Sequence, residues 1–148
     1  MKRFAMLALC LGCGLAVAGA AVAADPIAER QELMKTVGRS TKTAAEMVQG
    51  KTPYDAAAAK AAMTAIAEAA ETFPTLFPAG SETGGDTEAS PKIWEAKADF
   101  DAHAAKLAST AAAAAAAADG GLNAFKPAFG ATAGNCKGCH ESYRISKN

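Results

Sequence analysis

Alternating runs of β-branched residues are missing from this 148-residue chain, and that argues against a sheet-built fold. A basic stripe is missing too. Lysine plus arginine balances aspartate plus glutamate at 15 each, which excludes the charge footprint of a nucleic-acid-binding protein. Neither a Ser-His-Asp set nor a pair of acids suited to a cleft can be picked out, so the chain is not read as an enzyme. Cysteine is scarce, at four residues, and histidine scarcer, at two. The cysteines fall in two close pairs, Cys10 with Cys13 and Cys136 with Cys139.

The second pair carries the strongest signal. Cys136-Lys137-Gly138-Cys139-His140 reads Cys-x-x-Cys-His, the attachment signature of a c-type haem. Two thiols three positions apart can add to the two vinyl groups of one porphyrin. The histidine directly after them can then offer a ring nitrogen to the iron. A thioredoxin-like redox pair would need a strand-helix-strand setting, which is not present. A structural zinc site would need four ligands.

The N-terminus reads as an export leader. Lys2 and Arg3 precede an uncharged, small and apolar run from Phe4 to Val22. Ala21-Val22-Ala23 or Val22-Ala23-Ala24 supplies a small-residue cleavage site ahead of Asp25-Pro26. The run is long enough to consider as an anchor, but it is rich in Ala and Gly and ends in a cleavage pattern, so no stable membrane insertion is expected. A lipoprotein site at Cys13 is the weaker alternative, because Cys10 stands where a Leu-like residue is usual. Residues 1–24 are thus predicted to be removed, leaving 25–148 as one periplasmic domain. Loss of Lys2 and Arg3 gives that domain a slight acidic excess. Its only thiols are those of the haem motif, so no structural disulfide is expected. Export agrees with the motif, since bacteria attach c-type haem outside the cytoplasm.

Ala dominates the rest, with Glu, Lys and Leu, and this predicts an all-α fold. Asp25 can cap a first helix, with Pro26 at its first position, ending near Gly50. Thr52-Pro53 opens a second helix, to about Phe73. A loop rich in Pro and Gly covers 74–90. Ser90-Pro91 opens a third helix, which runs through the alanine tract 111–118 and stops at Gly120-Gly121. A fourth follows from about Asn123, with Pro127 near its first turn. Two short connections and one long one predict an antiparallel four-helix bundle with one covalently bound haem. On the fourth helix Phe125, Phe129, Cys136, His140 and Tyr143 share a face, which places the haem in the bundle interior. Arg144, one turn after His140, either sets a positive charge near the imidazole or simply favours the helix terminus.

Glu141 to Asn148 contains no Met or His, so a sixth iron ligand must come from upstream. Met34 is the candidate. Ile27, Arg30, Met34, Val37 and Thr41 form one stripe at helical spacing. A buried Arg30 calls for an anionic partner, which a haem propionate would supply. Plain core packing is the alternative for Met34. Met47 and Met63 read as core. His103, between Phe100 and Leu107, reads as an exposed or partly packed histidine.

Taken in order, four segments resemble the class II c-type cytochromes, the cytochrome c′ family. They are Arg30-Gln31-Glu32-Leu33-Met34-Lys35, Gly85-Asp86-Thr87-Glu88, Pro91-Lys92-Ile93-Trp94, and Cys136 through Arg144. The resemblance implies that Cys136 and Cys139 hold haem c and that His140 is axial. It implies that Arg30 and Gln31 line the haem edge, that Thr87 and Glu88 contact the haem or its propionates, and that Trp94 packs beside the ring. Met34 falls where the family's distal residue faces the iron. In the high-spin branch that residue is apolar and unbonded, and nitric oxide or carbon monoxide enters. In the low-spin branch a Met bonds iron. The segment 73–80 is similar to that of low-spin members. The resemblance also implies a homodimer through the first two helices.

The main functional expectation is therefore a periplasmic electron carrier, its haem iron held by His140 and Met34 and served by redox partner proteins. The alternative is a five-coordinate cytochrome c′ that takes nitric oxide or carbon monoxide as a gas ligand. A peroxidase would need distal acid–base groups that the stripe of Arg30 and Met34 does not offer.

Overall fold

The computed structural model describes residues 25–145. The expected leader, residues 1–24, lies outside the described residues. Among the described residues the regular structure is helical, and no helix is long and apolar enough to cross a membrane.

Asp25 opens the first helix. Its Oδ1 accepts the amide of Ile27 at 2.9 Å, and Pro26 takes the first position, where its missing amide proton costs nothing. Helix α1 spans Pro26–Val48. Helix α2, Ala56–Thr72, begins beyond the expected opening at Thr52-Pro53, because Asp55 takes the cap and its Oδ1 accepts the amide of Ala58 at 3.0 Å. A 3-10 turn, Phe73–Leu76, follows.

The third expected helix is two pieces. A one-turn helix α3, Lys92–Glu95, is separated from α4, Lys97–Ala117, at Ala96, whose φ is −128° and ψ 47°. No Gly or Pro marks this break. The bonds that hold α3 are tertiary: the Ser90 amide donates to the Tyr143 carbonyl at 3.0 Å, and the Trp94 indole donates to the Pro78 carbonyl at 3.3 Å. These bonds fasten α3 to its neighbours instead of letting it continue into α4. A 3-10 turn, Ala118–Gly120, and Gly121 at φ 81° lead into α5, Leu122–Tyr143. Pro127 is in the second turn of α5, not the first, so the Asn123 carbonyl loses its helical donor. Both residues are exposed, and water can serve that carbonyl.

Helices α1, α2, α4 and α5 make the bundle. The α2–α4 seam is the most extensive, α4–α5 and α1–α2 are well packed, and α1 barely meets α5. Ala59, Ala62 and Ala69 of α2 and Ala111, Ala114 and Ala115 of α4 belong to one buried cluster with Met47, Met63, Ile66, Phe125 and Phe129. Side chains this small let two helix axes approach closely. A second cluster, Phe77, Ile93, Phe100 and Tyr143, joins the long loop, α3, α4 and the end of α5.

The alanine seam sets a test. Ala114 is fully buried, whereas Ala113 is exposed. Ala114→Leu should cost about 1–3 kcal/mol by overpacking, read as a lower Tm of the purified protein, and Ala113→Leu should change it little.

Candidate functional site

Cys136, Cys139 and His140 occupy one turn of α5. Both thiols are half-buried, and loss of hydration raises their pKa above the ordinary thiol value. They are therefore neutral thiols in an apolar setting. His140 stands at the edge of the stripe. Phe125, Phe129, Thr132 and Tyr143 form its buried line, while His140 is partly exposed. Partial loss of hydration, then the Arg144 charge, lowers the His140 pKa, and Glu88 opposes that shift. A neutral imidazole is the form that can bond a metal.

Met34 is half-buried and packs against the first apolar cluster. The start of α1 and the end of α5 lie at the same end of the bundle. At a rise of about 1.5 Å per residue, Met34 and Cys136 then sit at similar depth along the α1–α5 seam.

Arg30 is buried, at 5% exposure, and its partners are neutral oxygens. Its Nε donates to the Leu76 carbonyl at 2.7 Å, one Nη to the Ser81 carbonyl at 2.9 Å, and the other Nη to the Ser81 hydroxyl. The guanidinium lies 4.1 Å from the centre of the Phe77 ring and 5.4 Å from that of Trp94. Burial lowers its pKa, and Asp25 and Glu82 offset part of that. Loop oxygens and an aromatic face thus surround the guanidinium within the protein. Gln31 reaches the same loop, its Nε2 donating to the Asp86 carbonyl at 3.3 Å. The Thr87 hydroxyl accepts the Ala89 amide at 3.2 Å. Glu88 accepts a hydrogen bond from Arg144 Nε at 2.5 Å. Trp94 is half-buried beside Phe77, ring centres 5.5 Å apart.

Other contacts carry no sequence signal. Tyr143 is buried, and its hydroxyl donates to the partly exposed Asp99 carboxylate. His103 Nδ1 lies 2.9 Å from the Asp99 carbonyl oxygen and lines a cleft of about 290 Å³ with Asp99, Lys106, Asn135 and Gly138. This cleft lies between α4 and α5, away from Met34. Phe77 and Ser81, which hold Arg30, sit in a loop whose composition gives them no mark.

Among the described residues no three His, Cys, Asp or Glu side chains converge as a protein-only metal site. The donor set is two neutral thiols and one imidazole on a single helical turn, beside a loosely packed seam. That set fits a porphyrin attached through thioethers, with its iron beside the imidazole.

A four-helix bundle with this turn on its last helix defines a class II c-type cytochrome. The family model described as Cytochrome C' matches residues 25–144. A cytochrome c′ of Rhodopseudomonas palustris is 44% identical over 141 residues, covering 93% of this chain and 91% of the relative. A cytochrome c-556 of Agrobacterium fabrum is 41% identical over 135 residues, covering 90% of each. The solved cytochrome c′ of Rhodopseudomonas palustris superposes with a TM-score of 0.80 at 43% identity, covering 84% of this chain and 99% of that one. The nitric oxide complex of a mutant cytochrome c prime from Alcaligenes xylosoxidans superposes at 0.74 with 31% identity, covering 83% and 95%. The chain belongs to the cytochrome c′ family and is a haem c protein.

Tyr143 supplies a pH test. The hydrogen bond to Asp99 comes first among the causes that push its pKa from 10.0 to about 12. The folded state therefore holds this proton more tightly than the unfolded chain does. The stability it contributes is complete below the ordinary phenol pKa and is lost as pH rises through about 12. In an alkaline ultraviolet titration Tyr143 should ionise near 12, and Asp99→Asn should bring it back toward the ordinary phenol range. Arg30 supplies a second test. Arg30→Ala should destabilise the protein by about 2–4 kcal/mol, since it orphans several buried acceptors at once, read by chemical denaturation of the haem-loaded protein.

Proposed function

We propose that this chain is a periplasmic cytochrome c′, exported by the leader 1–24, whose distal site takes a diatomic gas such as nitric oxide or carbon monoxide. Cys136 and Cys139 would hold the haem by thioether bonds, and His140 would be the axial ligand. Met34 would cover the opposite side, with Arg30, Gln31, Thr87, Glu88 and Trp94 bordering the group. The haem supplies a redox-active iron.

One observation carries the reading. Arg30 spends its donors on Leu76 and Ser81, and its neighbour one turn on, Met34, is packed against apolar side chains. Arg30 directed at the loop and Met34 among apolar side chains would leave a largely apolar wall on the distal side. A small neutral diatomic suits such a wall, whereas peroxide chemistry, which needs a distal acid and base, does not. No enzymatic role is proposed. The relative solved with nitric oxide supports the same choice.

A second reading has its own observation. Met34 is half-buried, flexible, and at the depth of the motif, so its thioether could bond the iron and make the protein an electron carrier for periplasmic redox partners. A homodimer through α1 and α2 accompanies either reading. Leu33 and Leu76 line a shallow groove between α1 and the 3-10 turn that follows α2.

Visible spectra of the ferrous protein before and after carbon monoxide test the choice. A broad high-spin spectrum that converts to a carbonyl complex supports the gas site, and Met34→Ala should then keep that behaviour. Sharp bands indifferent to the gas would transfer the role to electron transfer through a bonded Met34. Met34→Ala should in that event turn the protein into a carbon monoxide binder.

A further inference from the structure

Three consecutive residues at the end of α5 are fastened to three consecutive residues of the loop before α3. The Ser90 amide donates to the Tyr143 carbonyl at 3.0 Å. Arg144 Nε donates to Glu88 Oε2 at 2.5 Å. The Ile145 amide donates to the Glu88 carbonyl at 2.8 Å. Ala89 and Arg144 pair as an isolated antiparallel bridge. Glu88 thus grips both a side chain and a backbone amide, and it does so across 56 positions of sequence.

What this clasp holds is the last turn of α5. The Arg144 amide donates to the His140 carbonyl at 3.1 Å, so the fastened residue closes the helical ring that starts at His140. Helix ends fray unless their last carbonyls are engaged, and His140 lies in that last turn. Tyr143 is pinned as well, through its hydroxyl on Asp99, but that bond faces α4. Glu88 ties the turn to the loop through its side chain. The pair is partly solvated, with side-chain exposures of 51% for Arg144 and 37% for Glu88. Its direct worth to global stability is therefore small. Its consequence is local.

We propose that Glu88 is a positioning residue for His140: the Glu88–Arg144 clasp fixes the last turn of α5 and, through it, the orientation of the His140 imidazole. This rests on the reading of His140 as the axial ligand. The two tethers to Glu88 differ in kind. The backbone bond survives any substitution, while the side-chain bond depends on the carboxylate. A variant at Glu88 therefore loosens the clasp without abolishing it.

The experiment uses the haem-loaded, full-length protein in three forms: wild type, Glu88→Gln, and the reversed pair Glu88→Arg with Arg144→Glu. Amide hydrogen exchange at 143–145 and the ferric electron paramagnetic resonance spectrum are the readouts. Glu88→Gln should speed exchange of the Arg144 and Ile145 amides by about fivefold, the equivalent of one surface ion pair. It should also move the g-values, which report the axial imidazole. The reversed pair should restore both toward wild type. Unchanged exchange in Glu88→Gln would overturn the clasp. Faster exchange with unmoved g-values would overturn the positioning of His140, and so would g-values that the reversed pair fails to restore. A wild-type protein without attached haem would instead sink the axial reading of His140 and the proposal with it.

Discussion

Two thiols and an imidazole on one helical turn need open space on one side of the helix and firm walls on the others. The bundle meets this constraint by closing three of its four seams and leaving α1 apart from α5. Everything else follows from that asymmetry. Helix α1 cannot be held along its length by α5, so it is held elsewhere: by α2 along its flank, by Arg30 near its start, and by Ala44 and Met47 near its end. Met47 also accepts the Asp55 amide through its sulfur at 3.4 Å, which ties the end of α1 to the start of α2.

Arg30 shows how neutral groups of a loop can hold a buried guanidinium at a helix start. A guanidinium has five donors in a plane, and Leu76 and Ser81 present three oxygens to it. The face of Phe77 supplies the rest through its quadrupole. The charge itself is not cancelled by contact. Burial lowers the Arg30 pKa, and Asp25 and Glu82 offset part of that without contact. The same residue thus anchors the long loop to the start of α1.

The architecture was legible where local chemistry decides. The cap at Asp25, the proline at the first helical position, the alanine tract and the glycine pair at 120–121 all have local physical meanings, and the helices lie where those signals place them. The break at Ala96 was not legible, because it is imposed by bonds from Ser90 and Trp94 to residues far along the chain. Within the site, Cys136, Cys139 and His140 could be found from spacing alone. Arg30 could be found as an anomaly in an apolar stripe, but its partners could not. They are backbone carbonyls and a serine in a loop, and neither composition nor period marks a carbonyl. Asp99, and the partner of Glu88, were hidden for a related reason. Asp99 and Glu88 are each one acid among fifteen, and only the fold brings them to Tyr143 and Arg144.

The two apolar clusters divide the work unequally. The first is built largely of alanine, which buries little area per residue but loses no rotamer freedom on folding. It favours close, regular helix contact at small entropic expense. The second cluster holds five large aromatic rings with neighbouring centres about 5–6 Å apart, Phe73, Phe77, Trp94, Phe100 and Tyr143. Such edge-on packing restricts each ring by its neighbours. Cys139 packs against this second cluster, and Arg30 lies over one of its rings. The part of the bundle that must keep its shape around a covalently attached group is therefore the part made stiff by aromatic packing. The alanine-rich remainder brings the helices together and leaves the geometry of the site to that end.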